Sequence, residues 1–277
     1  MKMKFLALFA CLLMVWGTNQ AQKAVKLWET PAVFEIPESV LFNDTVIYVS
    51  NVNGSPLDKN GLGYISRLSA YGEVLTKQWV KGLHAPKGMG MYQQWLYVSD
   101  IDRVAKIDCS TGQIVQFIPI EGSRFLNDIA VSDQGLVAVS DLMDKTIYLI
   151  ENDSARVLVR HDLLERVNGL YWEGDQLYAG TAGTVYVIAM NNPEPTLVPF
   201  IQETGGIDGL ERLTDSTFIV SDWAGKVQAI SPFAPPVVLL NFKDEKYNAA
   251  DIEMDRKTKT LFIPTFFGNS VAAYTIE

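Results

Sequence analysis

The feature that most constrains this 277-residue chain is a short apolar strand that recurs six times. The copies are Ile47-Tyr48-Val49-Ser50-Asn51, Leu96-Tyr97-Val98-Ser99-Asp100, Leu136-Val137-Ala138-Val139-Ser140-Asp141, Leu177-Tyr178-Ala179-Gly180-Thr181, Phe218-Ile219-Val220-Ser221-Asp222 and Leu261-Phe262-Ile263-Pro264-Thr265. With Tyr48, Tyr97, Val137, Tyr178, Phe218 and Phe262 as anchors, the intervals are 49, 40, 41, 40 and 44 residues. A repeat of this length means one supersecondary unit per copy, stacked on its neighbours to bury a shared core.

Each anchor strand has a partner just ahead of it. In Val167 to Thr181, VNGLYWEGDQLYAGT, apolar and polar residues alternate on both sides of Gly174-Asp175, the pattern of a hairpin. The equivalent first strands begin at Glu38, Lys87, Asn127, Asn168, Asp208 and Ala250. In the first five copies the start lies ten residues before the anchor. In the sixth it lies twelve before, because Lys257 to Thr260 lengthens the turn. Two further strands follow most anchors, as in Arg103 to Ile107 with Ile114 to Ile118, and Thr146 to Ile150 with Arg156 to Val159. Four strands every forty or so residues, with no helical period, predict a six-bladed β-propeller of four antiparallel strands per blade. The last copy has only three strands, and Val25 to Glu29 is expected to supply the fourth. That joins the termini and removes a free sheet edge. A polar insertion, Asn51 to Gly63, lengthens the first interval.

The remaining bounds come from the N-terminus and the charge. Lys2 and Lys4 precede an apolar run from Phe5 to Trp16, and small residues follow up to Ala21. This predicts a secretory signal over 1–21, cut after Ala21, and a single propeller domain over 22–277. A lipoprotein cut before Cys11 fits less well, because Phe9 is bulky. The run is too short to span a bilayer. The expected location is periplasmic or secreted. Loss of Lys2 and Lys4 takes the formal charge from −9 to −11, which argues against nucleic acid or an anionic membrane as partner. Cys109 would stand alone in the mature chain, so no intramolecular disulfide is expected.

First strands of a propeller line its central channel. Four of the six starts, Glu38, Asn127, Asn168 and Asp208, carry a side-chain oxygen, and they come from four blades. Two carboxylates and two amides suit a hard divalent cation, Ca²⁺ first, with Mg²⁺, Mn²⁺ and Zn²⁺ as alternatives. Only His84 and His161 are present, too few for an imidazole-rich zinc or copper site. Taken singly, Asn-Gly and Asp-Gly are turn dipeptides. What raises them above turns is their shared register. Lys87 holds the same position in the second copy. It either reaches a substrate carboxylate or carbonyl, or is a solvated rim lysine, and the rim reading is preferred. Asp100, Asp141 and Asp222 are expected to accept hydrogen bonds from a nearby turn. Lys87, Arg124, His84 and Trp223 are candidates for substrate contact at the mouth, and His84 and His161 are candidate proton carriers, each also readable as an ordinary loop histidine, while Trp79, Trp95 and Trp172 read as packing residues.

The residues Glu38 in PES, Asn127 in LNDI, Asn168 in VNGL and Asp208 in IDGL, taken with the blade spacing, resemble the senescence-marker-protein/gluconolactonase group of six-bladed propellers, which includes luciferin-regenerating enzyme. The resemblance implies one divalent metal held by these four side chains, and it casts Asp208 as the base that activates water. Two positions depart from the pattern. Glu38 is followed by Ser39-Val40 where the family has Gly-Pro. Arg124 lies three residues before Asn127, where the sugar lactonases of the group place an arginine two before. The implied activity is metal-dependent opening of a lactone or sugar-derived small molecule. The alternative is a non-catalytic binding propeller for a glycan or protein, favoured by the Asn51 to Gly63 insertion and the displaced Arg124.

Overall fold

The computed structural model describes residues 22–192, 194–245 and 247–277. The expected secretory signal over 1–21, with Cys11, lies outside them. The described chain forms six four-stranded antiparallel sheets in sequence order. The inner strands are Pro37–Asn43, Pro86–Tyr92, Leu126–Val131, Leu170–Glu173, Leu210–Thr214 and Glu253–Asp255. The last sheet takes its outer strand from the other end of the chain. Ala24–Glu29 pairs with Val271–Ile276, and Lys23 and Glu277 exchange backbone hydrogen bonds of 3.1 and 2.9 Å. The ring is therefore closed by its own termini.

Burial follows strand order. Second strands are buried almost throughout and inner strands partly, whereas outer strands such as Val74–Leu83 and Ala234–Asn241 are mostly exposed. The core lies between blades. Tyr48, Ile65, Val80 and Leu83 of the first blade pack on Met89, Leu96, Val98, Ala105 and Ile107 of the second. Each fully buried Leu or Ile contributes about 1.5–3 kcal/mol, so neighbouring blades hold one another without disulfides. Cys109 is a free thiol. Three single-turn 3₁₀ helices complete the structure, and no helix is long and apolar enough to cross a membrane among the described residues.

Backbone pairing corrects the expected spacing. Leu41, Gly90, Ala130, Tyr171, Glu211 and Glu253, each three past a start residue, lie opposite Tyr48, Tyr97, Ala138, Tyr178, Ile219 and Phe262. In the third and fifth blades the true anchors are thus Ala138 and Ile219, not Val137 and Phe218. In the third blade the longer turn from Ser132 to Leu136 absorbs the extra residue, and in the fifth a register shift between Arg212 and Thr214 does so. The six start positions themselves stay in register.

Candidate axial metal and substrate site

Three local devices set the start residues. The first is the serine at the end of the second strand. Ser39, Asp128 and Gly209 donate their backbone N–H to Ser50, Ser140 and Ser221 Oγ at 3.0, 2.9 and 2.8 Å. Ser99 Oγ donates to the Asn127 carbonyl, and Ser221 Oγ donates to the Ala250 carbonyl at 2.7 Å. One hydroxyl thereby joins the inner strand of its own blade to that of the next. Sequence reasoning passed over these serines, although Ser recurs at that place in four of the six copies.

The second device is the following aspartate. Asp100 Oδ1 accepts from the His84 and Ala85 amides, and Asp141 accepts from those of Arg124 and Phe125. These carboxylates tie down the loops that lead into Lys87 and Asn127, as an aspartate bound to a turn should. Asp222 makes one long bond, 3.3 Å from the Lys226 amide, and stays on the cavity wall.

The third device is the glycine after the start residue. Gly169 and Gly209 have no left-handed φ, so they are not turn glycines. A Cβ at Gly169 would stand 2.8 Å from the Asp208 carbonyl oxygen, and one at Gly209 would stand 2.5 Å from the Ile252 amide nitrogen. They are glycines of close approach, and they let adjacent blades bring their start residues together at the axis.

The result is one cavity of ≈ 520 Å³ at the mouth of the channel. Glu38, Lys87, Asn127, Asn168, Asp208 and Trp223 all line it. The four oxygen-bearing residues are each 5% exposed. Asn168 Nδ2 donates to Asp208 Oδ1 at 2.5 Å, which leaves Asn168 Oδ1 without a partner. Glu38 Oε2 is also buried and unpartnered. Buried polar atoms are nearly always bonded, so two orphaned oxygens in one cavity point to a missing electropositive partner. Two carboxylates and two amides are a donor set for a hard cation, and the residues present fit a divalent one. Among the described residues no group of three or more His, Cys, Asp or Glu is arranged to hold a metal, so any axial site must draw on its amides.

Burial raises the Glu38 carboxyl well above its ordinary range, and the nearby Asp208 charge adds to the rise. Asp208 is pushed up to about 7, mainly by burial and then by Asp222, against the Asn168 hydrogen bond and the Arg166 charge. Lys87 is not a solvated rim lysine. It is 1% exposed, and its ammonium donates to the Ala85 and Pro56 carbonyls at 2.9 and 3.1 Å. It also sits 4.6 Å from the centre of the Phe125 ring. Burial pulls it down to about 8, opposed by Glu38 and Asp100. Pro56 belongs to the Asn51 to Gly63 insertion, so that loop is tied to the axis through Lys87.

Other candidates fall elsewhere. Arg124 is exposed and does not line the cavity. Its backbone amide is held by Asp141 at 2.6 Å, which fixes the loop and leaves the side chain outside. His84 also lies off the cavity, where its Nδ1 accepts from the Gly61 amide at 3.2 Å. His161 caps a 3₁₀ turn. Trp223 stacks edge-on against Phe266 and Phe267, with centroids 5.8 and 6.1 Å away. The arginine that does reach the cavity is Arg166, two residues ahead of Asn168. Looking only ahead of Asn127 missed it; the same offset in the next copy would have found it.

Further along the inner strands lies a second, smaller cavity of ≈ 310 Å³, lined in part by Asp128, Glu211, Asp251 and Glu253. Asp128 spends its carboxylate on the Ile129 and Leu170 amides, both at 2.6 Å, and Asp251 accepts from Ser39 Oγ at 2.6 Å. Burial raises all four carboxyls.

Comparison by sequence found no matching family model and no matching curated relative. Solved structures do match. One, provisionally assigned as a gluconolactonase, is 14% identical with a TM-score of 0.67, covering 92% of each chain. Another is a catalytically inactive virginiamycin B lyase from Staphylococcus aureus with quinupristin. It is 12% identical with a TM-score of 0.61, covering 92% of this chain and 98% of that one. All three share the six-bladed propeller fold.

Proposed function

We propose that the protein is a divalent-cation-dependent hydrolase that opens a lactone on the propeller axis. One observation carries the proposal: four oxygen donors from four blades meet in one cavity, and two of their buried oxygens lack any partner. Glu38, Asn127, Asn168 and Asp208 would hold the cation, with Ca²⁺ preferred. Lewis-acid polarisation of the lactone carbonyl is what a cation held there supplies. Asp208 takes the proton of the attacking water and returns it to the alkoxide released when the acyl C–O bond breaks. The product is a hydroxy acid, and no co-reactant is consumed. Asn168 orients Asp208 through its amide N–H. Lys87 places a positive charge near Glu38, and Phe125 closes over its ammonium.

Both named fold neighbours carry enzyme names, one a lactonase and one a lyase. The hydrolase reading is preferred because neither His84 nor His161 lines the cavity, so no imidazole is at hand as a base for elimination. The test is pH-stat hydrolysis of a lactone panel with Ca²⁺, Mg²⁺, Mn²⁺ or Zn²⁺, then with chelator. Turnover that chelator abolishes is expected. A folded protein that turns over no lactone with any of these ions would leave the binding-propeller reading in its place.

A further inference from the structure

We propose that the axial cavity receives an amphipathic anion: a substrate with an aromatic or alkyl body and a carboxylate, the carboxylate held by Arg166 and the body by the aromatic rim. The inference rests on the lactonase reading for its reaction, but on other residues for its ligand.

The walls above the oxygen donors are largely apolar, built from Val52, Phe125, Leu142, Ile207, Trp223 and Phe266. Above the oxygen donors the wall offers polar groups at Thr181, Arg166 and Asp222 among apolar ones, so a polyhydroxylated sugar lactone would leave hydroxyls facing apolar surface, and an unmade hydrogen bond in a desolvated pocket selects against such a ligand. Trp223 is 52% exposed at the mouth, and Phe267, stacked on it, is 57% exposed. A flat apolar group can add to this edge-on stack.

Arg166 supplies the charge. It lies on the loop into the fourth blade, between Phe125 and Leu142 of the third blade and Trp223 of the fifth in blade order. The Val167 amide donates to the Leu164 carbonyl at 3.0 Å, Glu165 has φ −57° and ψ 121°, and Arg166 has φ 53°. That is a type II turn with Arg166 at the position glycine prefers. Among the cavity-lining residues other than glycine, Arg166 and Phe266 have left-handed backbones. A strained residue is kept where its side chain is needed. No side-chain hydrogen bond or ion pair engages Arg166 among the described residues, whereas Arg103, Arg160, Arg212 and Arg256 each have a carboxylate. Lys87, the other cation in the wall, is already spent on two carbonyls. An open guanidinium beside an apolar wall fits a carboxylate in two-pronged contact.

The experiment uses the full mature protein with Ca²⁺ and three probes: phthalide, phthalide-3-carboxylate and glucono-1,5-lactone. Hydrolysis is followed by pH-stat and binding by calorimetry, for wild type, Arg166→Gly, Arg166→Lys and Trp223→Ala. Wild type should favour phthalide-3-carboxylate over phthalide, and both over the sugar lactone. Arg166→Gly should cut the preference for the carboxylate-bearing probe about tenfold or more, by loss of a charge-assisted contact. Its Tm should be unchanged or higher, since glycine relieves the turn. Arg166→Lys should restore part of the preference, and Trp223→Ala should weaken both aromatic probes alike. Equal handling of the aromatic pair, a best response to the sugar lactone, an unaltered ratio in Arg166→Gly, or a lowered Tm in that variant would overturn the proposal. Arg166-dependent binding without turnover would uphold it and overturn the lactonase reading. Turnover with no carboxylate preference would do the reverse.

Discussion

On the proposed function, removing divalent cation should strip the partner from Glu38 Oε2 and Asn168 Oδ1, the two unpartnered buried oxygens of the cavity. Each unsatisfied buried polar atom costs about 1–3 kcal/mol. Independently, a ligand present at a hundred times its Kd stabilises the native state by about 2.7 kcal/mol. The two figures agree in size. For a domain of this length about 1 kcal/mol moves Tm by roughly 2–4 °C, so saturating Ca²⁺ should raise Tm by about 5–10 °C over the chelated protein. Scanning calorimetry in chelator and across a Ca²⁺ titration measures this directly. Asn168→Ala removes one oxygen donor and should lose at least about half of the gain, since it deletes one of the two orphaned atoms. Asn168→Asp keeps an oxygen and adds charge, so it should keep the gain. Asp175→Ala, in an exposed turn outside the cavity, controls for generic cation effects. The reasoning is refuted if Tm is the same with chelator and with every divalent ion, or if Asn168→Ala shifts as far as wild type.

Four further outcomes follow from other parts of the molecule. Asp208 is raised from 3.8 to about 7 in the folded state, so the cation-free native protein binds an extra proton between those values. Its stability should fall as pH rises through that window and level off above it. Bound cation displaces the proton, so the Ca²⁺-induced gain in Tm should be larger near pH 8 than near pH 5; equal gains would contradict the shift. Gly169→Ala should cost about 1–3 kcal/mol in urea unfolding and abolish the Ca²⁺ shift, because its Cβ meets the Asp208 carbonyl at 2.8 Å and the Leu210 amide at 2.9 Å; a neutral result would restore the turn reading. Ser99→Ala should lose about 1 kcal/mol by the same measurement, having left the Asn127 carbonyl without its hydroxyl donor. Lys87→Met should free the insertion held at Pro56 and speed tryptic cleavage after Lys59 by about tenfold, as expected for a local loss near 1.4 kcal/mol; an unchanged rate would show the loop is held elsewhere.

The propeller was legible because its signal is spread over the whole chain. A strand period, an apolar second strand and a fourth strand missing from the last copy all point to one closed ring. The start residues were legible for the same reason: Glu38, Asn127, Asn168 and Asp208 share a register that single turn dipeptides would not. Side-chain direction was not legible. Lys87 read as a rim residue because a lysine is usually solvated, yet two carbonyls, one from an insertion 31 residues earlier in the chain, hold it inside. Arg124 and Arg166 precede equivalent asparagines by three and two residues, and the loop geometry shows what that one-residue difference does. Asp141 pins the backbone at Arg124, whereas a type II turn carries Arg166 to the cavity wall. The glycines deceived in a different way. Asn-Gly and Asp-Gly are written alike in a turn and in a close approach, and only the neighbouring blade tells them apart.

The two starts that break the oxygen pattern explain how the ring tolerates the four that keep it. Ala250 contributes only backbone; its carbonyl takes the Ser221 hydroxyl, and the neighbouring Asp251 takes that of Ser39. A donor there would have set another polar side chain beside Glu38, across the blade junction where the Asp251 amide already bonds the Glu38 carbonyl. Lys87 stands on the opposite flank of Glu38, in the next blade, and its charge is the main influence pulling the Glu38 carboxyl back toward ionisation. Two buried carboxylates at one axis repel and are costly to desolvate. An internal ammonium on one side and an alanine on the other reduce that repulsion in the protein's own structure, so the donor set can stay assembled before any cation reaches it. The break in the repeat is therefore part of the cavity's electrostatics: Lys87 offsets the charge that Asp208 and Asp251 set against Glu38.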